Sequence, residues 1–222
     1  MKPSADKSPL VLLDFDDVLN IPLNKPIKKN SSYKWRTKSG WDFYSWSSEV
    51  FHDEEKDTEY VITTSTDMLS ALLSLEDDGL CQLVWLSTWT QHDGSLNTLL
   101  TSDNIADLAE TSHSWGHTSR RQGFLTDLIG RDLPSAGGKG AQNPRYIGRH
   151  IIDNWWKWDA VQRLRAEGHP VVFADDLLND FRGIYKNEQR EDAQLLKLMR
   201  INAHMGLTRS NYAEIKGFLK SL

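Results

Sequence analysis

The chain has 222 residues, enough to bury a substantial core as one domain. Its 26 basic and 31 acidic residues leave a formal net charge of −5, so no chain-wide attraction draws it to nucleic acid or to an anionic membrane, and only a local basic patch is open to it. A single cysteine, Cys81, rules out an intrachain disulfide and a cysteine zinc cluster, and no stretch approaches the roughly 20 apolar residues that span a bilayer.

In chain order, residues 1–9 are polar, lack the apolar core of a signal peptide and read as a disordered tail, which makes a cytoplasmic location the expectation. Residues 10–16 predict the first strand. Leu10-Val11-Leu12-Leu13 is a short apolar run that ends at Asp14-Phe15-Asp16-Asp17, as a buried parallel strand would. Residues 21–60 are polar, basic and aromatic and predict a hairpin or irregular flap. Tyr60 to Thr64 predicts a strand. Ser65 or Thr66 then caps a helix through Met68, Leu69, Leu72, Leu73 and Leu75, which Gly79 ends.

Leu83 to Ser87 predicts the next strand, and residues 94–110 a helix. Residues 134–144, with Gly137, Gly138 and Gly140 between two prolines, predict a long loop. That loop is no P-loop, because the Lys-Ser/Thr ending is missing. A helix from Asn154 to Glu167 is stopped by Gly168 and Pro170. A second acidic strand follows, Val171-Val172-Phe173-Ala174-Asp175-Asp176. Leu195, Leu196 and Leu198 suggest an amphipathic helix, residues 205–208 a break, and Ser210 to Leu219 a last helix. This alternation predicts an α/β fold: a Rossmann-like doubly wound parallel sheet, one domain over residues 10–222, with a small flap or cap insertion after the first strand.

Ligands of open α/β sheets bind beyond the carboxyl ends of the strands. Two strands that both end in carboxylates gather like charges there, and a proton or a cation must compensate. Mg²⁺, which takes oxygen from one or two carboxylates and from substrate phosphate, meets that need. Asp14 and Asp16 are two apart, so at a strand end both reach one substrate. One carboxylate can attack a phosphoryl group and form an acyl phosphate. A second can protonate the leaving oxygen and then activate water. The other reading of the pair is a surface turn or a helix cap.

Here the residues reach a resemblance. Asp14-Phe15-Asp16-Asp17-Val18-Leu19-Asn20 resembles motif I of the haloacid dehalogenase (HAD) superfamily, an apolar strand followed by Asp-x-Asp-x and then Thr or Val, with Asp17 where the family usually has Gly. Leu83-Val84-Trp85-Leu86-Ser87-Thr88-Trp89 resembles motif II, Lys157 the motif III lysine, and Asp175-Asp176 with Asp180 motif IV, all in family order. Residues 83–89 and 204–219 are also similar to the HAD domains found in multidomain RNA-repair proteins. The resemblance implies Asp14 as nucleophile and Mg²⁺ ligand, and Asp16 as general acid/base with its backbone carbonyl on the metal. It implies Ser87, or the adjacent Thr88, as donor to a phosphoryl oxygen, and Lys157 as the charge-neutralising cation. Asp176 becomes the main motif IV metal ligand, directly or through water, and Asp175, also counted with the metal residues, orients it or the lysine.

Each of these residues also has a plainer reading: a strand-end hydroxyl for Ser87 and a solvated helix lysine for Lys157. Asn20, which closes motif I, either holds the loop that follows or makes an Asx turn before Pro22. Asp180 reads as a partner of the site or as a helix cap.

For the substrate, Lys34 and Arg36 lie among further lysines with Tyr33 and Trp35 directly after motif I. Cations interleaved with aromatics suit a sugar-phosphate backbone and stacked bases, or else a solvated loop whose aromatics face the core. His113, His117, Arg120 and Arg121 form a second cluster, read as a surface or phosphate-contacting loop, since the His pair has no third metal ligand. The function expected is a Mg²⁺-dependent phosphatase working through an aspartyl-phosphate, on a nucleotide or nucleic-acid-end phosphate, with no membrane partner. The alternatives are a non-catalytic phosphate- or partner-binding module and a small-metabolite phosphatase or phosphomutase.

Overall fold

Leu10, Val11, Leu12 and Leu13 are all fully buried, and a strand that is apolar on both sides must be covered on both faces. The computed structural model describes residues 7–21, 46–53, 58–87, 145–147, 150–153, 155–180, 195–203 and 205–222. Its elements, in chain order, are β1 (Leu10–Leu13), β2 (Trp46–Asp53), β3 (Thr58–Ser65), α1 (Thr66–Asp77), β4 (Gln82–Trp85), β5 (Arg145–Ile147), β6 (His150–Asp153), α2 (Trp156–Ala166), β7 (Val171–Asp175), β8 (Leu196–Arg200) and α3 (Arg209–Lys220). A 3-10 turn, Asp176–Asp180, follows β7 directly.

Four strands form one parallel sheet in the order β4-β1-β7-β8. Strand alternation sends Val11, Leu13, Leu83, Trp85, Val172, Ala174 and Met199 to one face, where they pack with Met68 and Leu72 of α1 and with Ile215 and Leu219 of α3. Leu10, Leu12, Val84, Val171, Phe173, Leu196 and Leu198 go to the other face, against Trp156, Ala160, Val161 and Leu164 of α2. The chain is therefore α/β, with helices on both faces of a parallel sheet. Cys81 is buried within the first of these cores. No helix among the described residues is long and apolar enough to cross a membrane.

Local signals explain the element ends. The Ser65 hydroxyl accepts from the Met68 N–H at 3.2 Å and caps α1. Gly79 and Gly168 take positive φ just past α1 and α2, where such a residue ends a helix at little steric cost. Thr208 and Asn211 form a reciprocal capping box on α3.

Two expectations are corrected. The segment with Leu195, Leu196 and Leu198 is not an amphipathic helix, because Leu196–Arg200 is a strand. Leu196 and Leu198 share one face while Met199 takes the other, and parallel pairing with β7 satisfies the backbone. A short apolar run fits either period, and here tertiary pairing decides. The strand around Tyr60 to Thr64 exists, but it pairs antiparallel with β2 in a separate hairpin and does not join the parallel sheet. A second hairpin, β5–β6, lies ahead of α2 where no strand was expected. The expected helix over 94–110 and the loop over 134–144 lie outside the described residues, as does Asn154.

Candidate metal centre

β1 and β7 are neighbours with Leu13 opposite Ala174, so the residues that follow each of them, Asp14 and Asp175, meet side by side at the carboxyl edge of the sheet. The Asp14 N–H donates to the Ala174 carbonyl at 3.1 Å and extends the pairing to that point. Lys157, in the first turn of α2, brings its ammonium between them. Its Nζ lies 2.7 Å from Asp14 Oδ2 and 2.7 Å from Asp175 Oδ2, with its side chain only 4% exposed. Backbone amides take the remaining oxygens. Phe15 N–H donates to Asp14 Oδ1 at 2.8 Å, and Leu177 N–H donates to Asp175 Oδ1 at 2.8 Å.

Asp176 opens the 3-10 turn and is half-buried. Carboxylate oxygens of Asp14, Asp175 and Asp176 converge within 4.8 Å of one another. Burial pushes the Asp175 carboxyl up to about 7, against the pull of Lys157, and Asp14 adds to the rise. Burial, then Asp14 and Asp17, push Asp176 up to about 6. Burial works to lower Lys157, but Asp14 and Asp175 together outweigh it and hold the ammonium above its ordinary value.

Burial comes first for both carboxyls, and crowded negative charge adds to all three shifts. Two buried carboxylates share one ammonium, a third stands beside them, and the surplus negative charge binds protons. The same surplus makes the triad able to hold a metal ion, and an all-oxygen donor set suits a hard cation.

Behind Asp14 the chain turns sharply. Phe15 O accepts N–H groups from Val18, Leu19 and Asn20 at 3.3, 2.9 and 2.8 Å, and Asp17 N–H donates to Asn20 O at 2.7 Å. The turn requires one residue in the left-handed region, and Asp17 supplies it with φ of 60°. Asp tolerates that region better than most non-glycine residues.

Asp16 lies in this loop, half-buried, with its Oδ1 accepting from Asn20 Nδ2 at 2.8 Å. Its side chain is not one of the three whose oxygens converge. Ser87 is buried just beyond β4, the other neighbour of β1, and Leu86 N–H donates to Leu13 O at 2.9 Å beside it. Asp180 closes the 3-10 turn, and the Asn179 side chain ties that turn to Asp176 O and, at 2.7 Å, to Ile201 O.

Asp14, Lys157, Asp175 and Asp176 are thus brought together, with Asp16 and Ser87 on adjoining strand ends. Thr88, Lys34, Arg36, Arg120, Arg121, His113 and His117 lie outside the described residues. Sequence reasoning gave Asn20 a loop-holding reading but missed its partner, the β3 hairpin, where its Oδ1 accepts the Thr63 N–H at 2.8 Å. The partners are 43 positions apart, and the only local signal was an Asn four residues after Asp16. It also missed the charge that Asp17 brings to bear on Asp176. A scan against protein-family models, a search of curated proteins and a search of solved structures each return no match, so the likeness to the HAD superfamily rests on the four motifs alone.

Proposed function

We propose that the chain is a Mg²⁺-dependent phosphatase of the HAD type, working through an aspartyl-phosphate on nucleotide or nucleic-acid-end phosphates. The observation that carries this reading is the Lys157 ammonium bridging Asp14 and Asp175, with Asp176 beside them, at the carboxyl edge of adjacent parallel strands.

Phosphoryl transfer asks mostly for positioning and for cancellation of charge. Asp14 is anchored by Phe15 N–H and by Lys157, so its carboxylate has little rotational freedom when phosphorus arrives. In the first half-reaction an Asp14 oxygen bonds to phosphorus, the bond from phosphorus to the leaving oxygen breaks, and Asp16 gives that oxygen a proton. In the second, Asp16 takes a proton from water as the water oxygen bonds to phosphorus. The bond between phosphorus and Asp14 breaks, and inorganic phosphate leaves. Lys157 offsets charge on Asp14 and on the phosphoryl oxygens, and Ser87 offers a hydroxyl at the end of β4. Mg²⁺ held by Asp14 and Asp176, with the Asp16 carbonyl, would neutralise phosphoryl charge and orient the substrate. Asp175, with both oxygens engaged, holds Lys157 in place. The preference for a nucleotide or nucleic-acid end comes from the sequence, from Lys34 and Arg36 beside Tyr33 and Trp35.

The test is phosphate release from an aryl phosphate, from 5′- and 3′-mononucleotides and from oligonucleotides ending in 3′- or 5′-phosphate, with Mg²⁺ and with chelator. Turnover should depend on metal, and Asp14→Asn should lower it by roughly a thousandfold or more while the fold persists. An equally active Asn variant would remove the aspartyl-phosphate from the mechanism. Folded, metal-binding protein with no turnover on any substrate would favour a phosphate-binding module.

A further inference from the structure

Asn20 is buried between the loop that carries Asp16 and the β2–β3 hairpin. Its orientation follows from chemistry. The Thr63 backbone N–H can only donate, so the group it meets at 2.8 Å must be the Asn20 amide oxygen. The Nδ2 end then faces Asp16 and donates to Oδ1 at 2.8 Å. The next residue reinforces the grip, because Ile21 N–H donates to Thr63 O at 2.9 Å. The amide is therefore held by the hairpin at one end and holds the Asp16 carboxyl at the other. A residue needed only to fasten the loop to the hairpin would use its oxygen alone; the bond to Asp16 goes further.

We propose that Asn20 is a positioning residue for Asp16: held by the hairpin at its own oxygen and donating to Oδ1, it fixes the plane of the carboxyl that exchanges a proton with the leaving oxygen and with water. This rests on the phosphatase reading above. The hairpin becomes part of the site's geometry through one amide, although none of its side chains need touch substrate.

The two half-reactions separate this role from a merely structural one. Release of nitrophenol from p-nitrophenyl phosphate in the first turnover involves a good leaving group and asks little of Asp16. Hydrolysis of the aspartyl-phosphate asks for a correctly aimed base. In the full-length chain, Asn20→Ala removes both contacts. Asn20→Asp retains an acceptor for Thr63 N–H while losing the donor to Asp16, and serves should the Ala variant fail to fold.

The expected result is a first-turnover rate within about threefold of wild type, a steady-state kcat lower by about tenfold or more, and a KM lower in the same proportion, so that kcat/KM is retained. Aspartyl-phosphate should accumulate in the variant. Equal losses in both phases, a change confined to KM, or wild-type kcat in a folded variant would each overturn the proposal. Absence of metal-dependent turnover in the wild-type chain would instead overturn the phosphatase reading, and this proposal with it.

Discussion

At the end of β7, Asp175 is enclosed: Lys157 takes one oxygen, Leu177 N–H the other, and no solvent reaches the residue. One residue later Asp176 is half-buried, its carboxylate close to those of Asp14 and Asp175. At the end of β1 the acids are spaced differently. Asp14 is anchored by Phe15 N–H and Lys157, and Asp16 is carried off into a tight loop and held by Asn20. Two runs with nearly the same pattern, apolar and then acidic, are used in different ways. In each, one carboxylate lies against Lys157 with both oxygens engaged, and another stands one or two residues further along. Where that second one lies depends on the backbone after the strand, a 3-10 turn in one case and a left-handed turn at Asp17 in the other.

The largest effect is expected from removing what both strand ends share, the Lys157 ammonium. Lys157→Met leaves Asp14 and Asp175 buried and adjacent with no cation between them. Breaking a buried ion pair by deleting one partner costs about 3–5 kcal/mol. Asp175→Asn should cost less, since an amide oxygen still accepts from Leu177 N–H or Lys157, and one carboxylate remains opposite the ammonium. Urea denaturation of the three proteins without metal checks the order. Equal stability of the two variants would mean that Lys157 does not serve both strand ends.

Asp176→Asn probes the open member of the β7 pair. Its charge is opposed by burial, by Asp14 and by Asp17, so the metal-free protein should lose no stability and should gain slightly. Mg²⁺ affinity should fall by roughly tenfold or more, as loss of a ligand exceeds loss of an outer partner. Titration calorimetry reads the affinity and thermal melting the stability. A large loss of metal-free stability would make Asp176 a structural residue like Asp175.

The raised carboxyls fix the direction of the pH response. Asp175 at about 7 and Asp176 at about 6 lie above the ordinary value of 3.8, so the folded protein binds these protons more tightly than the unfolded chain. Their contribution to stability is complete below the unfolded value and is lost as pH rises through 6 to 7. Without metal, the melting temperature should therefore fall between pH 5 and pH 8 as far as these groups decide it. Bound Mg²⁺ favours the ionised triad, so the rise in melting temperature on adding Mg²⁺ should be larger at pH 8 than at pH 5.5. A metal-induced rise that is the same at both values would place the cation elsewhere.

What the sequence made legible was the part written in local pattern. Short apolar runs ending in acids located β1, β7 and the carboxylates, and Ser65, Gly79 and Gly168 marked helix ends that the structure keeps. Lys157 was found by its order among motifs, since nothing in the neighbouring Trp156 and Trp158 distinguishes a site lysine from a solvated one. What was not legible depends on pairing between distant segments. Leu195 to Leu198 reads as a helix until β7 is laid beside it. The Tyr60 strand could not be assigned to a hairpin before its partner was known. The bond from Thr63 to Asn20 joins residues that no periodicity links.

The smallest expected effect concerns what supports the loop after β1 from its other side. Gly206, in the turn between β8 and α3, has φ of +64°, and Leu207 N–H donates to Val18 O at 2.8 Å. A Cβ on Gly206 would run into Ile21 Cδ1 and approach Val18 O to 2.8 Å. Gly79 has nearly the same φ, +68°, with nothing within 4 Å of the place its Cβ would take. Both Ala variants carry the strain of the left-handed region, roughly 1–2 kcal/mol, so the difference between them isolates the contact. Gly206→Ala should be the less stable by about a further 1 kcal/mol, the scale of mild overpacking. It should also lower kcat, because the displaced residues, Val18 and Ile21, flank Asn20 and the loop of Asp16. Gly79→Ala should leave kcat alone. If the two variants match in stability and in kcat, the loop takes its shape from its own hydrogen bonds and the β3 hairpin, and the β8–α3 turn plays no part in holding Asp16.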